Sequence, residues 1–272
     1  MNNAEKANFD PITLEILWSR LISIADESAA ALLRTSFSTI VRESNDFATV
    51  LMDSNGDSLA ENTAGIPSFV GMLPDALKNF IKRIPIENWN PGDCIITNDP
   101  WLGSGHLPDI TMAAPIFHKG KLVGFSGSIA YLPDIGGAGW SSDGRELFEE
   151  GIRLMPMKFL KEGEPNQDVF DFITANVRVP SQVIGDIYAQ VTAQQVCAGR
   201  LQEFLDDAQL NDLTGLSGAL LERADIAMRK AIEEVPEGTY RAAVDADGYD
   251  EDETHIECAI TVDGSALHID YD

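Results

Sequence analysis

A chain of 272 residues, 44% of them hydrophobic and 22 of them glycine, can bury a substantial core, which excludes a disordered tail. Its 44 acidic against 19 basic residues give a net charge of −25, which repels phosphate backbones and anionic membrane surfaces and argues against nucleic acid and membrane partners. Cys94, Cys197 and Cys258 are far apart with no CxxC spacing, the start MNNAEKANFDP has no basic-then-apolar pattern, and no run reaches about 18 apolar residues, so a reduced, cytoplasmic chain is expected.

Asp10-Pro11 is a helix start, because a carboxylate caps free amides and proline is tolerated at the first helical position. A long helix to about Ser36 should follow, with Ile12, Ile16, Ile22, Ala25, Ala29, Leu32 and Leu33 as its apolar stripe. Asp46 to Leu51 and Asp57 to Glu61 flank Asp53-Ser54-Asn55-Gly56, whose Asn-Gly pair supplies the positive φ of a tight hairpin. Pro74 to Arg83 reads as a short helix, and Asp93 to Thr97 as a strand delivering the loop Asn98-Asp99-Pro100-Trp101-Leu102-Gly103-Ser104-Gly105. Strands Ile110 to Phe117 and Leu122 to Ala130 flank the turn His118-Lys119-Gly120-Lys121.

After a stretch rich in glycine and proline, Gln182 to Ala208 and Leu213 to Val235 carry helical patterns suited to antiparallel packing. Strands Thr239 to Val244, His255 to Val262 and Leu267 to Tyr271 close the chain. The acidic run from Asp245 to Glu253 lacks calcium-loop spacing and reads as a solvated hairpin tip. These elements predict an α+β fold of antiparallel hairpins and sheet packed with long helices. Residues 1–180 form a mixed region, 181–236 a helical hairpin, and 237–272 the start of a β-rich region completed by further sequence or another chain.

One internal echo carries chemistry: His106-Leu107-Pro108-Asp109-Ile110 is nearly repeated as Tyr131-Leu132-Pro133-Asp134-Ile135, with the second hairpin between the copies. A turn centred on Lys119-Gly120 pairs Asp109 with Ala130 and Pro108 with Tyr131, bringing His106, Asp109, Tyr131 and Asp134 to one open end. Imidazole beside carboxylates suits a divalent metal such as zinc or manganese, while the same residues also make a glycine- and proline-rich loop pair held by local hydrogen bonds. Gly124-Phe125-Ser126-Gly127-Ser128 misses the GxSxG elbow, which disfavours a serine hydrolase, and neither GxxxxGK[ST] nor a strand-linked GxGxxG is present to bind ATP.

Several motifs in order through the chain resemble the hydantoinase B, oxoprolinase and acetone carboxylase alpha family. They are Arg42-Glu43-Ser44-Asn45-Asp46-Phe47, Ile66-Pro67 with Gly71-Met72, Asn98 through Asp109, Asp134-Ile135-Gly136-Gly137, Glu150-Gly151-Ile152-Arg153, Asn176 through Pro180, Gly185-Asp186 and Ala189-Gln190. The resemblance implies one subunit of a complex, with an ATP-using, hydantoinase A-like partner that activates a small amide or ketone. His106 and Asp109 match family metal ligands, with Asp46 as a further ligand, while Tyr131 and Asp134 are the catalytic candidates. Two positions depart from the family pattern: Tyr131 and Phe69 stand where histidines are usual. The departures leave three readings open: a metal with fewer nitrogen ligands, Tyr131 as a hydrogen-bond donor to substrate, or a degenerate copy kept for assembly. The expected activity is ATP-dependent, metal-assisted opening of a cyclic amide, with ketone carboxylation or a scaffold role as alternatives.

Overall fold

The computed structural model describes residues 9–139, 144–249 and 252–271; the first eight residues and the acidic tip at 250 and 251 lie outside them. The chain divides into two compact units, Met1–Ser217 and Gly218–Asp272.

The first unit is built on a seven-stranded antiparallel sheet. Its strands are β1 (Phe47–Asp53), β2 (Ser58–Glu61), β3 (Cys94–Thr97), β4 (Asp109–His118), β5 (Lys121–Tyr131), β6 (Met157–Lys161) and β7 (Glu164–Pro165), in the order β2-β1-β5-β4-β3-β6-β7. β1 and β3 are buried along their whole length, as strands covered on both faces must be. One face packs on α1 (Pro11–Thr35) and α6 (Pro180–Asp207), the other on α3 (Pro67–Arg83). The short helices α2 (Thr39–Ser44), α4 (Leu147–Glu150) and α5 (Gln167–Asn176) fill the connections.

α1 begins as expected, with the Asp10 carboxylate accepting from the Ile12 and Thr13 amides. Its buried stripe is Leu14, Leu17, Leu21, Ile24, Ala25, Ser28, Ala29 and Leu32, whereas Ile12 and Ile16 are exposed. The expected stripe thus holds only in its second half, because the leucines set the inward face of the first turns.

α3 starts at Pro67, seven residues before the expected Pro74. An interior proline costs about 3 kcal/mol, which made Pro74 look like a start. Phe69 and Leu73 lie on the buried face ahead of it, and burying two such side chains returns about 2 kcal/mol each.

α6 packs along α1, and the Ser28 hydroxyl donates to the Ala193 carbonyl across that contact at 2.9 Å. Strands β6 and β7 and helix α5 arise in the stretch read as loop.

The second unit takes up the C-terminal part of α7 (Thr214–Glu233) and a three-stranded antiparallel sheet, β10-β9-β8, from β8 (Gly238–Tyr249), β9 (Asp252–Asp263) and β10 (Ala266–Tyr271). Cross-strand pairs such as Thr239 with Thr261 and Asp245 with His255 tie β8 to β9. Among the described residues no helix is long and apolar enough to cross a membrane.

Candidate active site

The β4–β5 hairpin places the chemistry. Lys119 and Gly120 both have positive φ, the requirement of the tight turn, and His118 pairs with Lys121 and Phe117 with Leu122 as expected. A β-bulge then intervenes: Ile116 pairs with Gly124, leaving Val123 as the extra residue on β5. From there every pair is shifted by one, so Asp109 lies opposite Tyr131, and Ile110 opposite Ala130. The pairing expected from the turn alone is corrected by this one residue, and the correction brings Asp109 and Tyr131 to the same face.

On the other side of β5, Phe47 pairs with Ala130, and the Tyr131 amide donates to the Asp46 carbonyl at 3.2 Å. Asp46, Tyr131 and Asp109 therefore form a row across three neighbouring strands at one end of the sheet. His106 enters from the loop, its Nε2 3.0 Å from the Asp109 Oδ2 and its ring centroid 5.8 Å from that of Tyr131. The imidazole is about half exposed (48%), while the Asp109 carboxyl is almost fully buried (5%).

The loop that carries His106 is held by buried polar side chains. Asn98 donates to the Leu107 and Ile152 carbonyls at 2.8 and 2.9 Å and accepts from the Leu154 amide at 2.6 Å. Asp99, fully buried, pairs with the Arg153 guanidinium and accepts from the Trp101 amide. Gly103 permits the tight return, since a Cβ there would come within 2.8 Å of Thr111 Oγ1. Glu150 reaches back to accept from the Leu107 amide at 3.1 Å, which puts its charge near His106. Glu150 and Arg153 were legible as part of a motif, but nothing in their spacing assigned them these partners.

The charges set one another. The hydrogen bond to Asp109 raises the His106 pKa; burial opposes this, and the charges of Asp109, Glu150 and Asp46 reinforce it. Burial and the nearby Asp109 carboxylate raise the Asp46 pKa. Burial raises the Tyr131 pKa as well, with Asp109 and Asp46 adding to it, so its hydroxyl is held as a neutral donor. Asp134 faces another task. Burial alone would raise its pKa, but the amides of Gly136, Arg178 and Val179 and the Arg178 guanidinium bring it below the usual carboxylate value. Its carboxylate ties the end of β5 to the start of α6, while Asp46, His106, Asp109 and Tyr131 gather in the row.

Asp109 Oδ1, Thr111 Oγ1 and Ser104 Oγ are buried with no hydrogen-bond partner, the one feature of the row that would welcome a cation. The donor set does not complete the fit. Among the described residues no group of three or more His, Cys, Asp and Glu side chains is placed to hold a metal ion. Phe69 belongs to the apolar cluster under α3 and offers no lone pair, and the raised pKa of Tyr131 disfavours the phenolate that a metal would need.

The hydantoinase B/oxoprolinase family model matches residues 10–272. The B component of a D-/L-hydantoinase from Pseudomonas sp. (strain NS671) is 34% identical over 96% of this chain and 46% of its own length. The ATP-dependent caprolactamase of Pseudomonas jessenii superposes with a TM-score of 0.86 at 28% identity, over 96% of this chain and 46% of that one. An acetone carboxylase in its nucleotide-free form superposes with a TM-score of 0.85 at 22% identity, over 97% of this chain and 37% of that one, a likeness of fold. The chain spans about half, or less, of the length of the curated relatives it matches. With the family motifs, the α+β fold and the match along nearly its whole length, this chain belongs to the hydantoinase B/oxoprolinase family.

Proposed function

We propose that this chain is one component of a cytoplasmic, ATP-dependent complex that opens a cyclic amide, with ATP used by a hydantoinase A-like partner. His106 and Asp109 serve as its acid–base pair, and Tyr131 as a hydrogen-bond donor. The observation that carries this reading is the half-exposed His106 imidazole hydrogen-bonded at 3.0 Å to the buried Asp109 carboxylate. A buried carboxylate behind an accessible imidazole fixes the ring and stabilises its protonated form, the arrangement general base catalysis requires.

In the proposed sequence the amide carbonyl oxygen takes the γ-phosphoryl group of ATP in the partner, releasing ADP. Water then adds to the phosphorylated carbon, giving its proton to His106. The C=N electron pair moves to nitrogen, and Tyr131 donates to the added hydroxyl oxygen, which gains charge as it releases its remaining proton to solvent and becomes the acyl carbonyl. The C–N bond breaks, His106 returns the proton to the departing nitrogen, and a second water converts the acyl phosphate to carboxylate and phosphate.

The cyclic-amide class is favoured over ketone carboxylation because the hydantoinase and caprolactamase relatives are the more similar in sequence. The test is to assemble the complex with its ATP-using partner and follow phosphate release together with the ring-opened product, an N-carbamoyl amino acid from hydantoin and an amino acid from 5-oxoproline or caprolactam. Turnover that falls with His106→Ala and Asp109→Asn supports the reading. Turnover indifferent to both assigns this site to assembly.

A further inference from the structure

On the opposite face of the sheet, roughly 20 Å along β4 from Asp109, lies a cavity of about 300 Å³ between α6 and strands β3, β4 and β6. The size is at the lower end of small-molecule sites, which run from roughly 300 to 1,000 Å³. Ile116, Leu160 and Val191 supply apolar wall, and the small residues Ala198 and Gly199 of α6 keep the space open.

Its polar floor is neutral. The Cys94 thiol donates to Gln194 Oε1 at 2.9 Å, Gln194 Nε2 donates to Ser128 Oγ at 3.3 Å, and Ser128 Oγ donates to Gln190 Oε1 at 2.8 Å. Gln190 Nε2, fully buried at the end of this relay, has no partner. Cys94 and Gln194 line the cavity, and each Gln194 amide atom keeps a second lone pair or N–H beyond the bond it makes. Among the described residues no lysine or arginine lines the space. Asp93, which does, is committed to Lys158 Nζ at 2.6 Å and to the Asn90 and Glu162 amides. Burial pushes the Cys94 thiol far up, so it is a weak donor and not a nucleophile.

We propose that this cavity is a second small-molecule site, one that takes a neutral amide of single-ring size, its N–H and C=O edge on Gln194 and its carbon frame on Ile116, Leu160 and Val191. A primary carboxamide side chain is self-complementary to such an edge, and a wall without cations gives a carboxylate nothing to pair with.

The test uses the full chain with labelled methyl groups, titrated with caprolactam and 2-pyrrolidinone and, as a charged comparator, 5-oxoproline. The neutral lactams are expected to shift the methyls of Ile116, Leu160 and Val191, with 5-oxoproline weaker by about tenfold or more. Ala198→Phe, which fills the space, should weaken lactam binding by about tenfold or more, and His106→Ala should leave it unchanged. No response of those methyls at millimolar lactam, an equal response to 5-oxoproline, or a response lost in His106→Ala would overturn the proposal. The methyl map of the parent chain decides the matter even where Ala198→Phe fails to fold. Turnover at His106 is assayed separately, so failure of this site is distinct from failure of the acid–base reading.

Discussion

The strands β4 and β5 carry two polar clusters of opposite kind. At the Asp109–Tyr131 end, on the α3 face, the groups are ionisable, partly open to solvent, and include buried oxygens with no partner. Toward the other end, under α6, Cys94, Gln194, Ser128 and Gln190 form a buried relay that holds no ionised group. Burying charge is costly unless it is paired, so the ionisable set sits where the sheet ends and a loop can arrive, and the neutral set sits where a long helix seals the face. The difference teaches that one hairpin keeps ionisable groups at its open end and neutral polar groups along its covered face, the division on which both proposals rest.

The sharpest way to break the comparison is to remove the ionisable end. His106→Ala in the assembled complex should lower kcat/KM by about a hundredfold to ten-thousandfold, the usual reach of general acid–base catalysis, as read from initial rates. A smaller but structural effect is expected at the support of that end. Arg153→Met leaves the fully buried Asp99 without its ion pair and should destabilise the first unit by about 3 kcal/mol in denaturant titration.

Asp134 comes next. Its pKa lies below the ordinary 3.8, so its stabilisation is fully present above about pH 4 and is lost as pH falls through the depressed value. Asp134→Asn should cost about 2 kcal/mol near neutral pH, a figure already reduced because Arg178 is mostly exposed, and should flatten the acid limb of the stability curve. The smallest effect is expected from chelation. Stripping divalent metal from this chain before assembly should leave turnover unchanged, while Phe69→His with Tyr131→His should raise zinc content by elemental analysis.

Much of this was legible because local rules decided it. Asp10-Pro11 started α1, Asn55-Gly56 and Lys119-Gly120 closed their hairpins, and the two tetrads placed His106, Asp109 and Tyr131 at one end. The family and the α+β class were legible from ordered motifs. What escaped depended on the rest of the chain. The bulge at Val123 follows from packing along the strands and has no turn residue to announce it. Pro74 misplaced the start of α3 because burial of Phe69 and Leu73 outweighed a local penalty. Two partners of Asp134, the Arg178 and Val179 amides, lie 44 and 45 residues away, beyond the reach of any periodicity, and β6 and α5 sat in a stretch whose glycines and prolines hid them.

The most direct measurement is the titration of the His106 imidazole by NMR in the metal-stripped chain, beside Asp109→Asn. With the Asp109 carboxylate at 3.0 Å, the pKa should lie above the ordinary 6.5 and fall in Asp109→Asn, and the pH–rate profile of the complex should rise through the same raised value. A His106 that titrates at or below the ordinary value, or that ignores Asp109→Asn, would contradict the acid–base pair.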